Sequence, residues 1–130
     1  MSSSASLLIP SGPTNDPDRK HLFVCLTDVH GVNKETLIVS VSTHKAGFPA
    51  DDACKLFPGD HSFTKHQSYV DYAKARIVAA SKLMNGVKSG TLIAKEPLDT
   101  GVFARVCHGF EQSAFTAPLI LDFYKKALGT

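Results

Sequence analysis

Two apolar segments separated by a polar turn constrain the fold of this chain most strongly. Residues 21–28, HLFVCLTD, form an apolar and partly β-branched run, and residues 36–43, TLIVSVST, alternate with Leu37, Val39 and Val41 on one face. Side chains of a strand point alternately to its two faces, and the linking VHGVNKE carries Gly and Asn. The two segments therefore predict an antiparallel hairpin with a loop longer than a two-residue turn.

Further strands are predicted by shorter apolar runs at residues 6–10, 53–57 and 91–94. The segment 69–84, YVDYAKARIVAASKLM, supports two interpretations, because its alanines favour a helix whereas the β-branched pair in ARIVA favours a strand. The next segment, NGVKSG at 85–90, is typical of a turn.

Two helices are predicted in the C-terminal third of the chain. In residues 95–110, Pro97 suits the first turn of a helix, and apolar residues recur at helical spacing: Leu98, Val102, Val106 and Phe110. In residues 118–129 the apolar stripe is expected at Leu119, Phe123 and Leu128. Strands first and helices later predict a small α+β, mainly β domain.

A chain of 130 residues is long enough for one domain and too short for two. We therefore expect a single domain over residues 1–130, with the Ser/Ala-rich residues 1–5 disordered. No run approaches the roughly 18 apolar residues of a membrane helix, and the N-terminal residues do not resemble a secretory signal. Free Cys25, Cys54 and Cys107 agree with a cytoplasmic location.

The charge is unevenly distributed along the chain. Residues 1–60 carry five Lys/Arg against seven Asp/Glu, a net −2, and residues 61–130 carry nine against five, a net +4. This asymmetry favours an anionic partner, although a solvated surface explains it as well. The common nucleotide, phosphate and zinc motifs are absent, so we expect no cofactor.

The histidine-rich segment GDHSFTKHQSY, residues 59–69, suggests acid–base chemistry. His61 and His66 could act as a proton-transfer pair, since the pKa of histidine lies near neutral pH. Lys65 could bind phosphate, while Phe63 and Tyr69 could stack on unpaired bases. Two alternatives stay open: a metal site formed by Asp60, His61 and His66, and a polar surface loop without a function.

Four segments in order along the chain resemble successive segments of the PemK/MazF family of toxin endoribonucleases. They are HLFVCLTD, LIVSVSTHK, SYVDYAKARIV and KSGTLIAKEPLDTGVFARV, which lie within residues 21–106, and the resemblance covers roughly residues 17–110. The resemblance implies an SH3-like barrel with C-terminal helices, a strand at residues 73–79 and a homodimer. It also implies cleavage of single-stranded RNA without metal, leaving a cyclic phosphate, and inhibition by a partner antitoxin.

The resemblance also implies roles for particular residues. Arg19 or Lys20 would stabilise the phosphate, with His21 beside them, and Ser42 or Thr43 would occupy the place of the family's active-site threonine. Lys45 follows that strand as a substrate-binding candidate.

The sequence departs from the family at one position of this group, since Leu22 stands where the family has the proline of an Arg-Pro pair. This departure favours a non-catalytic SH3-like binding domain as the rival interpretation. A third interpretation is a relative that inhibits another protein of nucleic-acid metabolism.

Overall fold

An antiparallel hairpin of two apolar strands occupies the middle of the sheet. A computed structural model describes residues 2–129. In it, β2 (Lys20–Cys25) and β3 (Glu35–Thr43) pair with Leu22 opposite Val41 and Val24 opposite Val39. The predicted hairpin is confirmed. The other elements, in chain order, are β1 (Ser6–Pro10), β4 (Lys55–Leu56), β5 (Ser68–Ala79), α1 (Ala80–Ser89), β6 (Ile93–Lys95), α2 (Thr100–Gln112) and α3 (Pro118–Ala127).

The six strands form one curled antiparallel sheet in the order β4-β5-β3-β2-β1-β6. The α+β class predicted from the sequence is confirmed. Within residues 2–129, no helix has the length and apolar character needed to cross a bilayer.

The sheet buries side chains on both faces, because alternate residues of each central strand point to different cores. Helices α2 and α3 cover one face, where Leu22, Val39 and Val106 lie in the larger core. The other face is partly covered by α1, whose Leu83 packs in a smaller core with Phe23 and Ile38. The remainder of this second face is left for the polar residues described below.

The ambiguous segment 69–84 is divided between a strand and a helix. β5 extends to Ala79, which includes the strand expected at 73–79, and α1 begins at the next residue. The turn predicted at 85–90 is wrong, since α1 continues to Ser89 and ends at Gly90 in the left-handed conformation. Burial of Leu83 against the sheet outweighs the local Asn-Gly signal.

Helix α2 starts later than predicted. Asp99 is its N-cap and accepts a hydrogen bond from the Gly101 amide at 3.0 Å, so Pro97 precedes the helix. The stripe expected from Leu98 to Phe110 is buried, as predicted.

The stripe expected on α3 is wrong at two of its three positions. Leu119 is 81% exposed and Leu128 is 54% exposed, whereas Tyr124 is the buried residue of the helix. Pro118 opens the helix, and Tyr124 packs 4.7 Å from the ring of Phe110. The contact between the rings of Tyr124 and Phe110 therefore shifts the buried face of α3 by about one residue from the stripe expected in the sequence.

The N-terminal segment is tied to the sheet. The Ser3 amide donates to Asp28 Oδ1 at 2.8 Å, and the Ser4 amide donates to the Cys25 carbonyl at 2.9 Å. The disorder expected for residues 1–5 is therefore not seen for residues 2–5, because the backbone extends the pairing of β1 with β2. Met1 lies outside the described residues.

Candidate functional site

A basic hollow of about 550 Å³ lies on the second face of the sheet, beyond the part that α1 covers. Its cationic side chains are Arg19, Lys45 and Lys74, and His21 lies among them. Among the described residues that line it, none is acidic. The full lining is Ser11, Gly12, Pro13, Arg19, His21, Ser42, Thr43, Lys45, Phe48, Pro49, Tyr69 and Lys74. We call this feature the basic hollow; its positive charge, the exposed ring of Phe48 and the half-buried ring of Tyr69 suit an anion with aromatic groups.

Three neighbouring strands form the floor of the basic hollow. Ser42 lies opposite Tyr69 in the β3–β5 register. The β2–β3 register pairs Leu22 with Val41, and one further step places His21 beside Ser42. These side chains share a face because residues directly opposite each other in an antiparallel sheet point to the same side.

The loop between β1 and β2 forms one wall of the basic hollow. The Ser11 amide donates to the Arg19 carbonyl at 2.8 Å, which closes residues 11–19 into a compact loop. Gly12 permits that closure, since a Cβ there would collide with the Asp16 carbonyl oxygen and lie 2.7 Å from the Arg19 Cβ. The glycine therefore sets the position of Arg19 at the hollow.

Ser11 contacts the Nδ1 nitrogen of His21. Ser11 Oγ lies 3.1 Å from the Ile9 carbonyl oxygen and 2.7 Å from His21 Nδ1, and its single proton can be donated to only one of them. In the arrangement with the hydroxyl proton on Ile9, Nδ1 is the donor to Ser11 and Nε2 is the proton acceptor of neutral His21.

The surroundings of His21 favour its neutral form. Burial lowers the pKa of His21 first, and the positive charges of Arg19 and Lys74 lower it further. An imidazole with a lowered pKa is deprotonated at neutral pH. The ring can therefore accept a proton there.

An irregular bulge with three extra residues in β5 brings Lys74 to the basic hollow. Ile38 of β3 pairs with Arg76 and Ser40 pairs with Asp71, so β3 advances two residues while β5 advances five. The extra residues arch away from the ladder. Lys74 lies in this arch, 3.6 Å from the Asp71 carboxylate, which is the ion-pair partner beside the hollow.

A second hollow of about 580 Å³ lies on the opposite side of the β3 end. We call it the Thr64 hollow; its lining is Leu22, Val41, Thr43, Ser62, Phe63, Thr64, Lys65, His66, Ser68 and Lys95. Thr43 belongs to both hollows. The loop before β5 therefore contributes to a site next to the basic hollow and not to the same site.

The structure separates the two histidines expected to act as a pair. His66 is exposed and lines the Thr64 hollow, whereas His61 is 6% exposed and lines neither hollow. His61 Nε2 lies 3.0 Å from the Glu96 carbonyl and 3.1 Å from Ser6 Oγ, and its Nδ1 accepts from the Phe63 amide. His61 thus joins the loop to β1 and to the connection after β6, which is a structural position.

The alternative metal site does not form in the described chain. Asp60 Oδ2 accepts from the Phe57 amide and contacts Arg105 at 3.1 Å. Burial is the largest single influence on the pKa of Asp60 and raises it, but the hydrogen bonds from Arg105 and Phe57 and the charge of Arg105 together lower it below its usual value. Within residues 2–129, no three His, Cys, Asp or Glu side chains are grouped to hold a metal ion.

The other expected site residues fall into two sets. Arg19, His21, Ser42, Lys45 and Tyr69 meet in the basic hollow, while Phe63 and Lys65 line the Thr64 hollow. Lys20 lines neither hollow.

Sequence reasoning missed Lys74, Phe48 and Ser11 at the basic hollow. Lys74 lay in the ambiguous segment, Phe48 follows β3 in a loop, and Ser11 is a serine in a proline-rich loop with no motif around it. The pairing registers that bring them together are long-range, so no local signal identified them.

Comparison of the chain with protein-family models, with curated proteins and with solved structures gave no match. The resemblance to PemK/MazF therefore stays a prediction from the residues quoted above. The geometry of the two hollows is the basis for a functional proposal.

Proposed function

We propose that this protein binds single-stranded RNA in the basic hollow and cleaves it there without a metal ion. The observation that carries the proposal is the convergence of Arg19, Lys74 and neutral His21 in a hollow that also has two aromatic rings, one exposed and one half-buried, and, among its described lining residues, no acid. Cations suit the phosphates of RNA, and rings suit its unpaired bases.

The residues of the hollow support 2′-hydroxyl attack on the neighbouring phosphate. His21 Nε2 would accept the 2′-hydroxyl proton as the 2′-oxygen bonds to phosphorus. Arg19 and Lys74 would stabilise the charge that develops on the phosphate oxygens, with Ser42 or Thr43 as hydrogen-bond donors. The bond to the 5′ oxygen then breaks, water supplies the proton to that oxygen, and a 2′,3′-cyclic phosphate remains.

The resemblance contributes the biological setting of this proposal. The curled antiparallel sheet followed by helices supports an SH3-like barrel of the PemK/MazF type, and a homodimer belongs to the same proposal. The partner would be an antitoxin whose acidic segment occupies the basic hollow in place of RNA, since the lining charges favour an anionic polypeptide as well.

A second candidate is an RNA-binding domain without catalytic activity. The separation of His61 and His66 favours it, because the acid–base pair expected from the sequence is not assembled and one histidine is left in the basic hollow. Binding would then use the same cations and rings.

The test is incubation of the pure protein with mixed-sequence single-stranded RNA in EDTA. Wild type should produce fragments ending in a cyclic phosphate, and His21→Ala should abolish cleavage while RNA binding persists. His108→Ala is the matched control, since His108 is exposed on α2 and lines neither hollow. Binding without cleavage by wild type would establish the second candidate, and no binding would reject both.

A further inference from the structure

The Thr64 hollow has the composition of a nucleotide site of its own. Lys65, His66 and Lys95 supply positive or protonatable groups, and Phe63 presents a ring that is 40% exposed. Among the described residues that line this hollow, none is acidic. A phosphate could therefore lie against the basic side chains while a base stacks on Phe63.

A buried hydroxyl without a partner points to a ligand in this hollow. Thr64 is 5% exposed and lines the hollow, yet its Oγ1 has no hydrogen-bond partner among the described residues. Buried polar atoms are nearly always paired, so an unpaired hydroxyl at a hollow needs an explanation. A phosphate or base oxygen bound there would be the missing acceptor.

Ser40 provides an internal comparison for Thr64. Its hydroxyl is also buried without a partner in the described chain, but Ser40 lines neither hollow. Both hydroxyl oxygens are buried, and the two residues differ in that Thr64 lines a hollow and Ser40 does not.

One carboxylate lies beside the Thr64 hollow. Glu96 Oε2 accepts from the Ser62 amide at 3.3 Å, and Oε1 is 3.7 Å from His61 Nε2. Its hydrogen bonds with Ser62 and then its own backbone amide lower the pKa of Glu96 to about 2, so it is charged at neutral pH. The negative charge of Glu96 would repel a phosphate bound in the Thr64 hollow. Replacing Glu96 therefore tests whether a phosphate binds there.

We propose that the Thr64 hollow binds a second nucleotide of the same RNA strand, with Thr43 between the two nucleotides. The inference rests on the proposed function for the identity of the strand. It adds a binding site in which Lys65 and Lys95 contact the phosphate, Thr64 donates a hydrogen bond and Phe63 stacks on the base.

The first experiment measures binding of a fluorescent tetrauridylate in EDTA. Thr64→Val removes the hydroxyl at constant shape, and we expect affinity to fall about 10-fold while the melting temperature rises. Thr64→Ser should retain most of the affinity. Ser40→Ala should raise the melting temperature without a change in affinity, because no ligand reaches that hydroxyl.

The second experiment changes charge around the Thr64 hollow. Lys65→Gln with Lys95→Gln should weaken tetrauridylate binding at least about 10-fold, and Glu96→Gln should strengthen it. Unchanged affinity in both the double lysine variant and Thr64→Val would overturn the second site while leaving the proposed function intact. Uridine monophosphate binding as tightly as tetrauridylate would also overturn it, since a free nucleotide would then be the ligand.

If wild type binds no tetrauridylate at all, the proposed function itself fails. If His21→Ala loses cleavage but keeps the Thr64-dependent binding, both proposals are supported separately. The two sets of variants therefore report on different hollows.

Discussion

At the scale of single residues, His21 and His61 show that residue type alone does not assign a role. Both are histidines near expected site segments, but His21 lines the basic hollow with Nε2 available, whereas His61 uses both ring nitrogens in buried contacts. The difference lies in their hydrogen-bond partners, which come from distant parts of the chain. Sequence reasoning could propose both rings and could not distinguish them.

Replacing Lys74 by Gln should raise the pKa of His21. The positive charge of Lys74 is one of the causes that lower this pKa, while burial and Arg19 remain. NMR titration of the ring measures the shift, and Lys88→Gln on α1 should leave it unchanged. If His21 is the base, cleavage increases with pH as the ring deprotonates, so the midpoint of the rate profile should move to higher pH in Lys74→Gln. An unaltered titration would contradict this electrostatic account.

The lowered pKa of His21 also has a consequence for stability. The unfolded chain binds a proton at His21 more readily than the folded chain does, so the folded state loses stability as the pH falls through the ordinary range of histidine. This loss of stability is absent at neutral pH and above, where the His21 ring is neutral in both the folded and the unfolded state.

Replacing His61 by Ala should destabilise the fold without changing the chemistry of the basic hollow. The substitution removes contacts to Ser6 and Glu96 and leaves the Phe63 amide unpaired. We expect a loss of about 2–3 kcal/mol in the free energy of unfolding, measured in urea. His66→Ala, at an exposed ring, should stay within about 0.5 kcal/mol of wild type. An equal effect of the two substitutions would show that the buried network contributes little.

At the scale of elements, local alternation predicted β3 well and failed for β5. In β3, Leu37, Val39 and Val41 face the larger core without interruption, so its period of two is visible in the sequence. In β5 the residues facing the larger core are Val70 and Tyr72 before the bulge, and Ala75 and Ile77 after it. The alternation changes from even to odd positions, and no single period describes the strand. Long-range pairing, and not propensity, determined this element.

The loop between β1 and β2 offers a test at the same scale. Gly12→Ala should displace residues 11–19, because the new methyl group would collide with the Asp16 carbonyl oxygen and the Arg19 Cβ. We expect weaker RNA binding, by about 10-fold, from loss of the Arg19 position. Gly101→Ala is the control, since Gly101 lines neither hollow and RNA affinity should not change. A new Cβ there would lie 3.3 Å from Asp99 Oδ2, the end of a side chain that needs to shift only slightly. RNA affinity unaffected by Gly12→Ala would show that the loop does not position Arg19.

At the scale of the whole molecule, the positive charges of separate segments meet on one face. Arg19 lies in the loop before β2, Lys45 in the loop after β3 and Lys74 in the bulge of β5, yet all three line one hollow. The charge difference between the two halves of the sequence indicated an anionic partner. It did not locate the site, because two of the three cations, Arg19 and Lys45, come from the acidic half. Composition could suggest the ligand class, and only the folded chain gives the site.

Binding of single-stranded RNA should therefore depend strongly on salt. The three cations of the basic hollow, at about −0.7 each, should give a slope of log K against log salt of roughly −2, and phosphate contacts in the Thr64 hollow would make it steeper. Arg19→Gln or Lys45→Gln should make this slope shallower by about 0.7, whereas Lys126→Gln on α3, where the lysine pairs with Asp122, should not. Fluorescence titrations at several salt concentrations provide the measurement. A slope near zero would exclude a phosphate-binding face.

The irregular bulge in β5 has a consequence for the length of this segment. From Tyr72 to Ile77 the strand takes five steps between two residues that face the same core, and regular alternation would require an even number. β5 advances five residues where β3 advances two, so a chain three residues shorter between Asp71 and Arg76 could satisfy both cores with uninterrupted pleating. The three additional residues are not needed for this pairing, and their effect is to arch the strand where Lys74 meets the solvent. A related chain that lacks these three residues would keep the two cores and lose that cation, so the length of the segment distinguishes chains that share the architecture from those that share the site.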